Sequence, residues 1–221
     1  MCSVSSTDIR LHDVVPEVFA AGGVSDDSQV WHTDLVLSPG HIYNVEAASG
    51  RGKSSLCAYL YGLRHDYRGI ITIGGEDVAR WDIRRWCEVR RSVLAYLPQG
   101  LELFAELSAL DNVLLKNRLT GCRTETQIRA DFERLGIADR IDTPAGRLSV
   151  GQQQRVALLR ALCQPFEFIL LDEPASHLDE VNNRECARLV EERAAEQHAA
   201  VISTSVGNPM LFGGDVISLK L

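Results

Sequence analysis

The run His41-Ile42-Tyr43-Asn44-Val45-Glu46 leads directly into Ala47-Ala48-Ser49-Gly50-Arg51-Gly52-Lys53-Ser54, and this junction constrains the chain more than any other segment. An apolar strand that delivers two glycines, a lysine and a serine to the start of a helix reads as a phosphate-binding loop. Gly50 and Gly52 let the backbone curl into a nest of inward N–H groups, and the helix opening near Lys53 adds its positive end. Lys53 can reach terminal phosphates, and the Ser54 hydroxyl suits Mg²⁺. The implied ligand is a nucleoside triphosphate. The strict pattern has Gly where Ala47 stands, so the loop alone leaves open a Gly/Ser-rich turn that binds nothing.

A second segment narrows that choice. The run Phe168-Ile169-Leu170-Leu171 ends in Asp172-Glu173-Pro174. A continuous apolar run followed by acids suits a central parallel strand, buried on both faces, that carries charge at its carboxyl end. In an open α/β sheet that edge is where ligands sit. Asp172 is then a candidate for holding Mg²⁺ through water, and Glu173 for polarising the attacking water.

Between the two lies Leu148-Ser149-Val150-Gly151-Gln152-Gln153-Gln154-Arg155. Ser149 and Gln152 have capping-box spacing, and the helix they open is expected to run to about Gln164, before Pro165. Val156, Leu159 and Leu162 form its core face. Its N-terminus, with a serine hydroxyl, is a second candidate anion site.

With these residues in place the chain resembles the ABC-type ATPase family, the nucleotide-binding subunits of ATP-driven transporters. Leu148-Ser149-Val150-Gly151-Gln152 is similar to that family's signature. Tyr96-Leu97-Pro98-Gln99 resembles the segment whose glutamine joins Mg²⁺ and the attacking water, and Ser176-His177-Leu178-Asp179 the loop that crosses between subunits. The compact length and motif style look most like the small subunits of lipoprotein-releasing and macrolide-export transporters.

The resemblance implies a P-loop NTPase core of the α/β class, a RecA-like parallel sheet, with an N-terminal antiparallel β part and an inserted helical part. It implies ATP and Mg²⁺: Ala47, Ala48, Ser49, Gly50, Arg51, Gly52, Lys53, Ser54 and Ser55 around the nucleotide, and Ser54, Gln99 and Asp172 around the metal. Catalysis would rest on Glu173, Gln99 and Ser205. Ser149, Val150, Gly151, Gln152 and Asp179 would reach the nucleotide of a second copy in a head-to-tail homodimer. Phe19 is the candidate by position for the aromatic that stacks on adenine, with a plain core aromatic as the alternative. A membrane permease subunit is the further implied partner, which would hold the chain at the cytoplasmic face of the membrane. Leu101, Leu103, Phe104 and Leu107 are best placed to form its docking groove, simple packing of the lobe being the alternative.

Three positions depart from the family pattern. Ala47 replaces a loop glycine, which alanine tolerates where φ is negative. Val150 replaces a signature glycine, leaving Ser149 and Gly151. Ser205 stands where the family has a histidine against the γ-phosphate, so hydrolysis is expected to be slower or to rest mainly on Glu173. A regulatory cassette with weak turnover, acting through a membrane partner, is the alternative function.

At 221 residues the chain fits one domain. The expected division is an antiparallel β part over 1–45, an α/β core over 46–99 and 165–221, and a helical part over 100–164. A net charge of −7 argues against a nucleic-acid partner. The arginines flanking Trp81 and Trp86 (Arg80, Arg84, Arg85, Arg90, Arg91) read as the solvated side of a short helix. The cysteines lack metal-ligand spacing and read as reduced thiols. The longest apolar runs are too short to span a bilayer.

Overall fold

The structure, a computed structural model, describes residues 7–19, 24–25, 27–48 and 50–221. Strands β1 (Ile9–Pro16), β2 (Asp34–Leu37), β4 (Tyr67–Ile73) and β5 (Glu76–Asp77) form an antiparallel sheet in the order β2-β1-β4-β5. A parallel sheet takes the order β6-β7-β8-β3-β9, from β3 (Ile42–Glu46), β6 (Leu94–Leu97), β7 (Phe168–Asp172), β8 (Ala200–Ser205) and β9 (Val216–Lys220). Helices α1 (Lys53–Leu60) and α2 (Ile83–Ser92) follow β3 and β5. Helices α3 (Ala109–Asn117), α4 (Glu125–Arg134) and α5 (Val150–Leu162) form a lobe between β6 and β7, and α6 (Glu180–Gln197) leads into β8.

Strand β7 explains the layering. All five of its residues are buried, because side chains alternate between faces and both faces are covered. Phe168 and Leu170 join one core, with Ile71 and Ile73 of β4, Leu56 and Leu60 of α1 and Trp86 of α2. Ile169 and Leu171 join the other, with Val113 of α3, Phe132 of α4, Val156 and Leu159 of α5 and Leu189 of α6. One strand is thus clamped between the antiparallel sheet and the helical lobe, and its carboxyl end is held in a fixed place.

The sheet assignment departs from the sequence expectation at two strands. Residues 42–45, expected in the antiparallel part, lie in β3 of the parallel sheet, where Ile42–Glu46 pair with both β8 and β9. Residues 70–73, expected in the α/β core, belong to β4, which pairs with β1 through Ile9↔Ile73 and Leu11↔Ile71. Periodicity separates the two kinds of strand. Tyr43, Asn44 and Val45 are buried in succession, whereas β1 opens with buried Ile9 and Leu11 alternating with exposed Arg10 and His12, as a sheet packed on one face requires. The chain from Val30 becomes strand only at Asp34. Before it the Ser28 hydroxyl accepts the Trp31 N–H at 2.9 Å, and His32 turns through a left-handed φ of 56°.

Candidate nucleotide site

Parallel pairing brings the carboxyl ends of β7, β8 and β3 into line: Asp172 sits opposite Thr204, and Ser205 opposite Glu46. The chain leaving β3 turns through Gly50 and Gly52, with φ of 77° and 99°, a region open to glycine without penalty. Gly52 is the N-cap of α1 and makes no side-chain cap hydrogen bond. Gly52 itself offers the first backbone N–H groups of α1 no side-chain acceptor.

Lys53 lies at the first position of α1 and is only 4% exposed. Its Nζ donates to the carbonyls of Ala47 and Ala48, each at 2.9 Å, so both alanines serve through their backbone. Burial pushes the Lys53 ammonium below the ordinary lysine range, and the carboxylates of Glu173 and Asp172 oppose that shift.

The acidic end of β7 is built with equal economy. Thr204 Oγ1 donates to Asp172 Oδ1 at 2.8 Å and accepts the Glu173 N–H at 3.1 Å. Glu173 has a left-handed φ of 52°, a strained conformation for a side-chain-bearing residue. Gln154, buried on α5, holds it there: Nε2 donates to the Glu173 carbonyl at 3.1 Å and also to the Pro174 carbonyl, while Oε1 accepts the His177 N–H at 3.1 Å. Gln99 Nε2 donates to Glu173 Oε2 at 3.2 Å.

These groups open on a cleft of about 380 Å³ lined by Val18, Phe19, Gly50, Gly52, Lys53, Ser54, Ser55, Arg64, Gln99 and Glu173. A cradle of backbone donors and an ammonium shares one space with a carboxylate held by an amide. Such a cleft can bind a polyphosphate and polarise a water beside it. Phe19 belongs to it, with Cε2 at 3.3 Å from where a side chain on Gly52 would begin. Ser49 lies outside the described residues. Arg51 contributes its carbonyl, which accepts from the Trp31 indole at 3.4 Å.

The other expected residues lie elsewhere. Ser205 is buried at the end of β8 and does not line the cleft. Ser149 and Gln152 form a complete capping box on α5, exposed Val150 follows, and Gly151 packs where a Cβ would come 2.8 Å from the His177 carbonyl. Asp179 caps α6, and the Asn182 N–H that it accepts at 2.8 Å holds its carboxyl below the usual range. Of the expected docking residues, Phe104 is half-exposed and Leu107 lies at the surface, while Leu101 and Leu103 pack against the lobe core. Phe104 instead lines a groove of about 440 Å³ with Tyr61, Leu63, Tyr96, Leu115 and Leu119.

The sequence reading missed Gln154, Thr204, Trp31 and Arg64. Gln154 left a signal, being a polar residue on the apolar face of a helix. Thr204 left none, because a threonine in a strand is ordinary.

The family description "ABC transporter" matches residues 31–176, well over half of the chain. The chain belongs to the ABC transporter family. It is 36% identical over 200 residues to the macrolide export ATP-binding/permease protein MacB of Bordetella avium, which covers 89% of this chain and 30% of that protein. It is 34% identical over 192 residues to the pyoverdine export ATP-binding/permease protein PvdT of Pseudomonas aeruginosa, covering 86% of this chain and 28% of that protein. The chain thus spans under a third of the length of these curated relatives. The ABC transporter cassette MJ0796, solved as a dimer, has the same fold, with a TM-score of 0.78 over 96% of this chain and 94% of that one at 23% identity. A bacterial Atm1-family ABC exporter solved with ATP bound matches 90% of this chain and 35% of its own, with a TM-score of 0.71 and 25% identity. Among the described residues no helix is long and apolar enough to cross a membrane.

Proposed function

We propose that this cassette binds ATP in the cleft above the phosphate loop and hydrolyses it at a head-to-tail interface between two copies, and that the cycle drives a membrane permease. The observation that carries the reading is that Lys53, Gln99 and Glu173 line one cleft with Gly50 and Gly52. Lys53 exchanges the Ala47 and Ala48 carbonyls for terminal phosphate oxygens. Gln99 and Glu173 orient and polarise the attacking water. Phe19 gives the adenine a face to stack on.

The donor set suits Mg²⁺. Ser54, Gln99 and Asp172 offer only oxygen to a cation, and a single carboxylate among them matches an ion that keeps waters and binds substrate phosphates. When bound, Mg²⁺ would neutralise charge developing on the β- and γ-phosphates. Asp172 is already oriented by Thr204.

The exposed α5 N-terminus supports the dimeric part of the reading. Ser149 and Val150 are at the surface and do not line the cleft of their own chain, so a second copy is what could bring them to a nucleotide. The names of the relatives, which join ATP binding to a permease, support a membrane partner docked at the groove around Phe104 and Leu115, on the cytoplasmic face. Calorimetry of ATP on the wild type and on Lys53→Ala tests the reading, with binding expected only for the former.

A second reading has its own support. Ser205 is buried beside Glu46 and does not line the cleft, which suits a regulatory cassette with weak turnover. Steady-state ATPase rates with the membrane partner distinguish the two.

A further inference from the structure

Arg64 has no part in the mechanism above, yet it lines the same cleft. Its guanidinium is fixed from two sides. Nε donates to Asp66 Oδ1 at 2.9 Å and Nη2 to Asp66 Oδ2, a bidentate fork, while Nη1 donates to Ser55 Oγ at 3.0 Å. The Cζ atom also lies 5.5 Å from the centroid of the Tyr59 ring. Asp66 is itself tied down: its carbonyl accepts from the Glu17 N–H and from the Tyr59 hydroxyl, each at 3.0 Å. Glu17 begins the 3-10 turn that ends in Phe19.

These contacts give the cleft a direction. Gln99 and Glu173 mark one end, where the carboxylates of Glu173 and Asp172 act on Lys53. Val18, Phe19 and Arg64 line the cleft as well, and the Glu17 N–H bond to the Asp66 carbonyl ties the Arg64–Asp66 pair to the turn that carries Val18 and Phe19. With the terminal group of a polyphosphate at Lys53 and its base at Phe19, Ser55, at the third position of α1, is the lining hydroxyl left for the innermost phosphate. A guanidinium that lines the cleft, with Nη1 on Ser55 and its other edge occupied by Asp66, is a preorganised donor for that innermost phosphate.

We propose that Arg64 binds the α-phosphate of the nucleotide, acting with Ser55 and distinct from the terminal-phosphate contact of Lys53. The inference rests on the cleft being a nucleotide site. Because Asp66 already neutralises much of its charge, Arg64 contributes directed hydrogen bonds more than long-range attraction. Its effect therefore falls on whichever ligand carries a phosphate at that point.

Calorimetry of the full chain with ATP, ADP and inorganic pyrophosphate, each with Mg²⁺, tests it. Arg64→Gln is expected to weaken ATP and ADP by the same factor, roughly ten- to a hundredfold for a charge-assisted hydrogen bond, and to leave pyrophosphate within twofold. Arg64→Lys should recover part of the loss, since it restores the charge without the fork. In turnover the Arg64→Gln defect should appear in KM and not in kcat. Unchanged ATP and ADP affinity overturns the proposal, and so does an equal loss for pyrophosphate, which would mark a general effect on the loop. A wild-type protein that binds no ATP would bring down the nucleotide reading itself, an outcome told apart from failure at Arg64 alone.

Discussion

Helices α1 and α5 begin in opposite ways. Helix α1 begins at a left-handed glycine with no side-chain cap, inside a cleft that also holds an ammonium and a carboxylate. Helix α5 begins at Ser149 with a complete capping box, on an exposed surface. The uncapped terminus keeps its backbone donors for a ligand and is held open by packing around it, with Trp31 and Phe19 against Gly52. The capped terminus needs no ligand to be stable. An anion can therefore be the making of the first site, whereas the second can at most add to a site assembled elsewhere.

The largest effect is expected at Lys53. Lys53→Ala should abolish detectable ATP binding in calorimetry, since the cation over the terminal phosphates is lost; retained affinity would mean that α1 is not the primary anion site. Next in size is Glu173→Gln, which keeps the shape and removes the charge. ATP affinity should persist while steady-state hydrolysis falls at least roughly a hundredfold, and a smaller loss would move the catalytic role away from this carboxylate.

Much of this architecture was legible in the sequence, for a physical reason. The phosphate loop, the apolar strand ending in Asp172 and Glu173, and the Ser149–Gln152 box are local patterns whose chemistry depends on neighbours in the chain. Strand partnership is not local. Residues 42–45 and 70–73 exchanged sheets because pairing is decided by which faces are covered after α1 has returned the chain, and only the burial of consecutive residues in β3 hints at it. The supports of the acidic loop were hidden for the same reason. Gln154 and Thr204 reach Glu173 across sequence separations of 19 and 31 residues.

The α5 end of the comparison calls for finer probes. Gly151→Ala places a methyl 2.8 Å from the His177 carbonyl, a backbone atom that must shift. It should lower the stability by about 1–3 kcal/mol in thermal or urea unfolding, and a neutral result would show that this contact yields freely. Ser149→Ala removes the cap and should cost about 1 kcal/mol of stability. If α5 also serves the nucleotide of a second copy, turnover should fall by more than the unfolding data explain. The smallest effect is expected at Ser205. Ser205→Ala should reduce turnover roughly fivefold, the equivalent of about 1 kcal/mol for one hydrogen bond, and a hundredfold loss would make this serine a full catalytic partner.

The central claim, that the open terminus of α1 is completed by the closed terminus of α5 from another copy, is tested most directly by the mass of Glu173→Gln in solution. Sedimentation velocity with saturating ATP and Mg²⁺ should show a dimer that returns to monomer when nucleotide is removed, and Ser149→Glu in the same background should abolish it by setting a negative charge against the phosphates. A protein that binds ATP in calorimetry yet sediments as a monomer at every nucleotide concentration would contradict the account.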